Sequence, residues 1–254
     1  MLQPYFSADG LRAVLVFIFA IAQAVMAYLP EIQDWEQTIA KRSQKLDTLV
    51  VPFGPFFAIW LVIFSSCIGF AIWHGLPSHL SNPVLQSVGW LAAALFAANT
   101  LWEYYIVQKG FDRTSVAIVA VELIVSLAIV ARLSTNSLMV ETGSLNPLGT
   151  APLYFLAGWV LVAAFVSFSS TLVLYDASFD PRNASPAAIL IAIATLLAVA
   201  IAYLSNSWFY ASSAAWGLLG IAVGGYVKRR FAVGAIALLS CMGVAIAPSL
   251  SNIL

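Results

Sequence analysis

Residues 51–73 read VPFGPFFAIWLVIFSSCIGFAIW, with no charge anywhere in the stretch. A run of this length is enough to cross the hydrocarbon core of a bilayer as a helix. It is more than an anchor: Phe53-Gly54-Pro55 opens it, and Trp60, Phe64 and Trp73 break up the aliphatic residues. Further on, Asn99-Thr100-Leu101-Trp102-Glu103-Tyr104-Tyr105 follows another apolar run, and Glu122 lies inside the next. Indoles, an amide and carboxylates set into segments otherwise made for lipid point to a membrane part that holds something.

The rest of the chain has the same character. It is 254 residues long, 62% hydrophobic and 9% charged, with a mean hydropathy of +0.95. Soluble domains carry roughly 25% charge. The fold class is therefore all-α, a polytopic helical membrane protein with about eight transmembrane helices. The spacing predicts spans at about 11–29, 52–75, 85–107, 114–132, 152–175, 187–205, 208–227 and 231–250. A barrel would show two-residue alternation, and an open sheet leaves backbone groups unpaired in lipid. The N-terminal stretch is nearly neutral, with Asp9 offsetting Arg12, so the first span is expected to be retained rather than cleaved as a signal. Cys67 and Cys241 fall inside spans and read as packing residues. The net charge of zero leaves no footprint for nucleic acid.

Charge sets an expected orientation. Lys41, Arg42, Lys45, Lys109, Arg113, Arg182, Lys228, Arg229 and Arg230 fall in loops on one side, and Arg12 and Arg132 on the other. Positive loops stay cytoplasmic, which places both termini on the non-cytoplasmic side. In the first basic loop, Ile32, Trp35, Ile39 and Leu46 recur at helical spacing, which predicts a short helix lying on the membrane, a lid or a plain linker. The outer loop at about 133–151 is polar and carries no chemical motif. A composition break at 176–186 divides the chain: 1–178 reads as a five-helix functional module, and 179–254 as a three-helix extension without acidic residues in its spans.

Glu122 lies near mid-membrane, where a carboxylate either stays neutral or finds a partner, with Asn99 or a serine of the fifth span as candidates. Glu103 lies nearer the basic end and can snorkel. Asn99 and Trp102 share a helix face, as do Trp60 and Phe64. Large aromatic faces with few polar groups suit a flat, mostly apolar ligand, although single aromatics are more often core. His74 and His79 have no third ligand for a metal, and no nucleophile with a base, phosphate loop or haem-attachment motif is present, so no catalytic or metal residues are assigned. Gly220 and Gly224 form a small-xxx-small pair that lets helices approach closely. Val223, Tyr226 and Lys228 also fit a proposed cholesterol pattern that is common at helix ends.

Phe53-Gly54-Pro55 with Trp60, Phe64 and Gly69-Phe70-Ala71, then Asn99 with Trp102, then Glu122, then the stretch 165–173 resemble the translocator protein family, or tryptophan-rich sensory proteins, over about residues 10–175. In the fifth helix the family's Trp and Asn are replaced by Phe165 and Val173. The resemblance implies a five-helix bundle, often dimeric, with a pocket for porphyrins, other tetrapyrroles or sterols. The three last helices have no counterpart in the five-helix pattern. Candidate ligand-binding residues are Phe53, Trp60, Phe64, Asn99, Trp102, Glu122, Phe165 and Ser169.

The first functional reading is a membrane-embedded binding or sensing protein for such a ligand, with a porphyrin or haem-type molecule as first candidate and no certain cofactor. The alternatives are an assembly subunit of a larger membrane complex and a small-solute or proton-coupled transporter; an enzyme is the least supported. Expected partners are membrane lipid, the small apolar ligand, and a second copy or larger complex.

Overall fold

The computed structural model describes residues 7–135, 147–175 and 178–251. Among the described residues there are nine α-helices and no strand. They are α1 (Ala8–Ile32), α2 (Ile39–Leu46), α3 (Ile59–His74, preceded by a 3-10 turn at Gly54–Ala58), α4 (Pro83–Lys109) and α5 (Arg113–Thr135). Then come α6 (Ala151–Tyr175), α7 (Ala184–Ser205), α8 (Trp208–Val227) and α9 (Phe231–Leu250).

The boundaries have local causes. Ser7 caps α1 by accepting from the Gly10 amide, and Ser207 caps α8 by accepting from Tyr210. Asn82 accepts from the amides of Val84 and Leu85 at the start of α4, where Pro83 has no N–H to leave unpaired. Before α5, Asp112 and Ser115 exchange backbone-to-side-chain bonds in both directions, a capping box. α4 stops at Gly110, whose φ of +86° is unfavourable for any residue with a Cβ.

The five spans of the first module form a ring: α1 packs on α3 and α4, α4 on α5, α5 on α6, and α6 returns to α3. The last three helices pack outside α6: α8 lies along it, α9 covers α8 and α7, and α7 touches α5 and α6. One continuous core runs through both parts, from Val16, Phe64 and Phe96 to Trp159, Tyr210 and Val244.

Seven helical stretches are long and apolar enough to cross a membrane, and the protein is an integral, multi-pass membrane protein. The exception to the eight expected spans is α8, whose glycines, serines, Trp208, Trp216, Tyr210 and Tyr226 lower its hydropathy. It is nonetheless 20 residues long, about 30 Å at 1.5 Å per residue. It is joined to α7 and α9 by turns at 206–207 and 228–230, so it traverses the same layer as they do. A helix wrapped by other helices needs less apolar surface than one facing lipid.

The first loop differs from the reading of its periodicity. Ile32 is the last residue of α1 and stands exposed, Asp34 breaks the chain with a φ of +51°, and the short helix begins only at Ile39. The amphipathic spacing thus spans two elements rather than one helix. Of the expected outer loop, 136–146 lie outside the described residues, as do 176 and 177 of the composition break.

Candidate functional site: an aromatic cavity under a short helix

Trp60 of α3, Trp102 of α4 and Trp159 of α6 line one enclosed cavity, together with Phe57, Val162 and Val166. Its roof is α2, through Ile39 and Ser43. The rings are ordered by their mutual contacts. Trp60 stacks on Phe64 at 4.8 Å between centroids, and its ring meets Trp159 edge-on at 5.5 Å. Phe57 in turn meets Trp159 edge-on at 6.0 Å. These are the offset and T-shaped arrangements that aromatic quadrupoles favour. The indole N–H groups of Trp102 and Trp159 are buried without an acceptor. The cavity volume is about 10 Å³, room for no more than one water.

A polar cluster adjoins it on α4. Trp102 is flanked along the helix by Asn99 one turn deeper and by Glu103. Asn99 donates through Nδ2 to Gln23 Oε1 of α1 at 3.1 Å and to Glu103 Oε1 at 3.2 Å. Glu103 does not snorkel: it is fully buried, because Asn99 holds it toward the bundle interior. Glu103 Oε2 and Glu122 Oε1 have no hydrogen-bond partner, and the two carboxyls are close enough to interact electrostatically. Asn99, a candidate partner of Glu122, is thus committed to Gln23 and Glu103, and the buried Ser167 and Ser170 hydroxyls of α6 are unpartnered too.

The structure groups the expected site residues unevenly. Trp60 and Trp102 line the cavity, Phe64 stacks on Trp60 outside its lining, and Asn99 and Glu103 follow along α4. Phe165 lines a different, lipid-side cleft of about 310 Å³ between α5, α6 and α7, with Leu123, Phe168 and Ile193. Ser169 is buried, donates to the Val166 carbonyl and faces the Thr48 hydroxyl at 3.3 Å, so it ties α6 to the loop after α2. Phe53 is exposed in that same loop. The nearest neighbours of Gly220 are not on another transmembrane helix, as a small-xxx-small pair would have them. Gly220 meets this loop: a Cβ there would lie 2.9 Å from Phe56 and Pro52.

α2 is fastened at several points. Arg42 Nη2 donates to the Val107 carbonyl at the end of α4 at 3.0 Å. Its C-cap, Asp47, has a φ of +52° and pairs with Lys228 at the end of α8 at 2.6 Å. The loop after it is held by Phe53 N–H to the Gly220 carbonyl and by Trp216 Nε1–H to the Phe56 carbonyl at 2.8 Å.

Trp159, Gln23 and the pair of Arg12 and His74 are the residues that sequence reasoning missed. Trp159 supplies the α6 indole of the cavity, six positions before Phe165. Gln23 had a legible signal, an amide in the middle of an apolar run. Arg12 and His74 are both buried at the opposite end of the bundle. Arg12 donates to His74 Nε2 at 3.3 Å and to the Leu80 carbonyl at 2.7 Å and pairs with Asp9. Sequence spacing cannot reveal a pair separated by 62 positions.

No curated protein and no solved structure matches the chain. A family model described as TSPO-like protein matches residues 13–250, from the first turns of α1 to the end of α9. The match therefore runs past the five-helix ring and through the last three helices. With the ring, the indole cavity and the carboxyls of α4 and α5 all inside the matched stretch, the chain belongs to the TSPO-like protein family.

Proposed function

We propose that the cavity under α2 is the binding site for a flat, mostly apolar molecule with polar or acidic edges, a porphyrin being the first candidate and a sterol-like lipid the second. At the general level, family membership makes this a membrane-embedded ligand-binding or sensing protein. The observation that carries the finer reading is the set of three indoles around one closed space, two of them with buried N–H groups that lack acceptors. Aromatic walls supply the burial, and an acceptor on the ligand satisfies groups that otherwise cost free energy.

The site is closed as it stands. Small-molecule sites usually measure about 300–1,000 Å³, so a ligand enters only if α2 and its following loop move off the rings. Opening breaks the bond from Arg42 to Val107, those between the loop and α8, the one from the Leu49 N–H to the Pro181 carbonyl, and the contact of Thr48 with Ser169.

Titration of protoporphyrin or haem into the detergent-solubilised protein is expected to quench indole fluorescence saturably. Trp60→Ala and Trp102→Ala should each weaken binding by about 1–3 kcal/mol, and Trp208→Ala, on the exposed face of α8, should not. No saturable quenching by either tetrapyrrole removes that ligand class, and unchanged affinity in both cavity variants removes the site.

A further inference from the structure

A second cleft opens beside the aromatic cavity, with a volume of about 310 Å³. Ser43, Gln44 and Asp47 of the α2 segment form one wall, Pro52 and Phe53 of the following loop another, and Lys228 at the end of α8 the third. Ser43 and Pro52 also line the aromatic cavity, so the two spaces share a wall. We propose that this cleft is the entrance to the aromatic site and that Lys228 binds the acidic edge of the ligand there. The inference rests on the function proposed above and adds the route and the residue that reads charge.

Lys228 is the one cation among the cleft's lining residues. Its ammonium is held by the Thr48 carbonyl at 3.2 Å and by Asp47 at 2.6 Å. The two partners differ. The carbonyl is fixed backbone, whereas the Asp47 side chain is 71% exposed and able to swing into solvent. Exposed ion pairs contribute little, so a carboxylate from the ligand replaces Asp47 at little cost. Releasing Asp47 also unties the end of α2, the helix that roofs the indoles, from the Lys228 side chain.

The other nearby charges leave Lys228 in this role. Arg182 and Asp180 satisfy each other at 2.7 Å, and the hydrogen bonds from Arg182 hold the Asp180 carboxyl below its usual range. Arg182 also senses Asp47, while Arg229 and Arg230 stand exposed next to Lys228. The surroundings are net positive once Asp47 leaves. The remaining walls, Pro52 and Phe53 among them, are apolar, as a flat ring requires.

The first arm of the test needs no ligand. Gln44→Cys, at an exposed lining position of the cleft, is placed in a Cys241→Ser background, with Cys67 fully buried. It is then labelled with methanethiosulfonates carrying a sulfonate or a trimethylammonium group, and each rate is divided by that of a free thiol. Asp47→Asn should raise the sulfonate preference and Lys228→Met should lower it, each by about threefold, and Lys228→Arg should restore it. A preference unchanged in Lys228→Met overturns the inference, as does a Gln44→Cys that neither reagent reaches.

The second arm compares protoporphyrin with its dimethyl ester. Lys228→Met should weaken the diacid by about threefold while leaving the ester within about twofold, and Asp47→Asn should strengthen the diacid. If both porphyrins bind and Lys228→Met treats them alike, the entrance role falls and the proposed function stands. If neither binds while the reagent preference responds to Lys228, the porphyrin reading falls and the anion-reading cleft stands.

Discussion

Gly158→Ala measures how tightly the last three helices are docked on the ring. Gly158 lies on α6 where α8 crosses it. A Cβ built there overlaps the Tyr210 carbonyl oxygen and comes within 3.1 Å of the Ala214 amide nitrogen and 3.2 Å of Ser213 Cβ. Two of these three neighbours are backbone, so no side-chain end can rotate away, and the helices must separate. Opening a packed contact by 0.5–1 Å forfeits about a quarter to a half of each dispersion well of roughly 0.1–0.2 kcal/mol. Over roughly 20 atom pairs this comes to about 1 kcal/mol, and residual overlap brings the cost to about 2 kcal/mol.

In lipid no hydrophobic transfer term compensates, because acyl chains are as apolar as the helix surfaces. Alanine's better helix propensity offsets about 1 kcal/mol. Gly243→Ala is the matched control: nothing lies within 4 Å of its Cβ, so it gains propensity alone. The two variants should differ by about 2 kcal/mol in reversible unfolding by SDS in mixed micelles, followed by helical circular dichroism. Equal midpoints would mean that α8 does not press on α6, and the placement of α7 to α9 against the ring would be wrong.

Two further predictions address orientation and the buried acids. With nine basic residues at one end of the bundle and Arg12 and Arg132 at the other, reporter fusions near position 80 should read external and those near 180 cytoplasmic; a cytoplasmic reporter at the C-terminus would contradict that topology. Since Glu122 Oε1 has no partner, Glu122→Gln and Glu122→Leu should both be at least as stable as the native chain, because neither strands a bonded group. Any effect of Glu122→Leu should then appear in ligand affinity, and a loss of more than about 1 kcal/mol of stability would show that the carboxyl has a partner after all.

The spans were legible because each is a long apolar run. The hydrophobic run announces a span whatever the helix later touches. α8 was read in the same way, at 208–227, although it is less apolar than its neighbours α7 and α9, which cover it in the folded chain. Sequence likewise placed Trp60, Phe64 and Trp102 in one site, since each lies on a helix face with other chemistry-bearing residues. It did not separate Phe165 from them, because which face of α6 looks inward depends on where α7 lies, and there Trp159 points to the cavity instead. Gly220 and Gly224 were readable as a close approach, but not as one to the loop between α2 and α3.

The arrangement along α4 and α2 gives the proposed site a direction. α4 ends at the basic end of the bundle, where its Val107 carbonyl holds Arg42 of the roof. One to two turns back lie Trp102 and Glu103, and Asn99 is one turn deeper, about 15 Å from Lys109 at 1.5 Å per residue. A molecule moving inward from Lys228 would therefore meet a cation first, then the apolar loop and indoles, and the amide and carboxyls last. For an amphipathic acid this order is selective. Its charged edge is retained at the mouth, where water still solvates it, and only the apolar body passes beneath α2. A ligand carrying its charge inward would bring a carboxylate toward Glu103 and Glu122, where an unpaired charge costs several kcal/mol. Under the proposed function, the two buried carboxyls would act against the wrong orientation, while Lys228 would favour the right one.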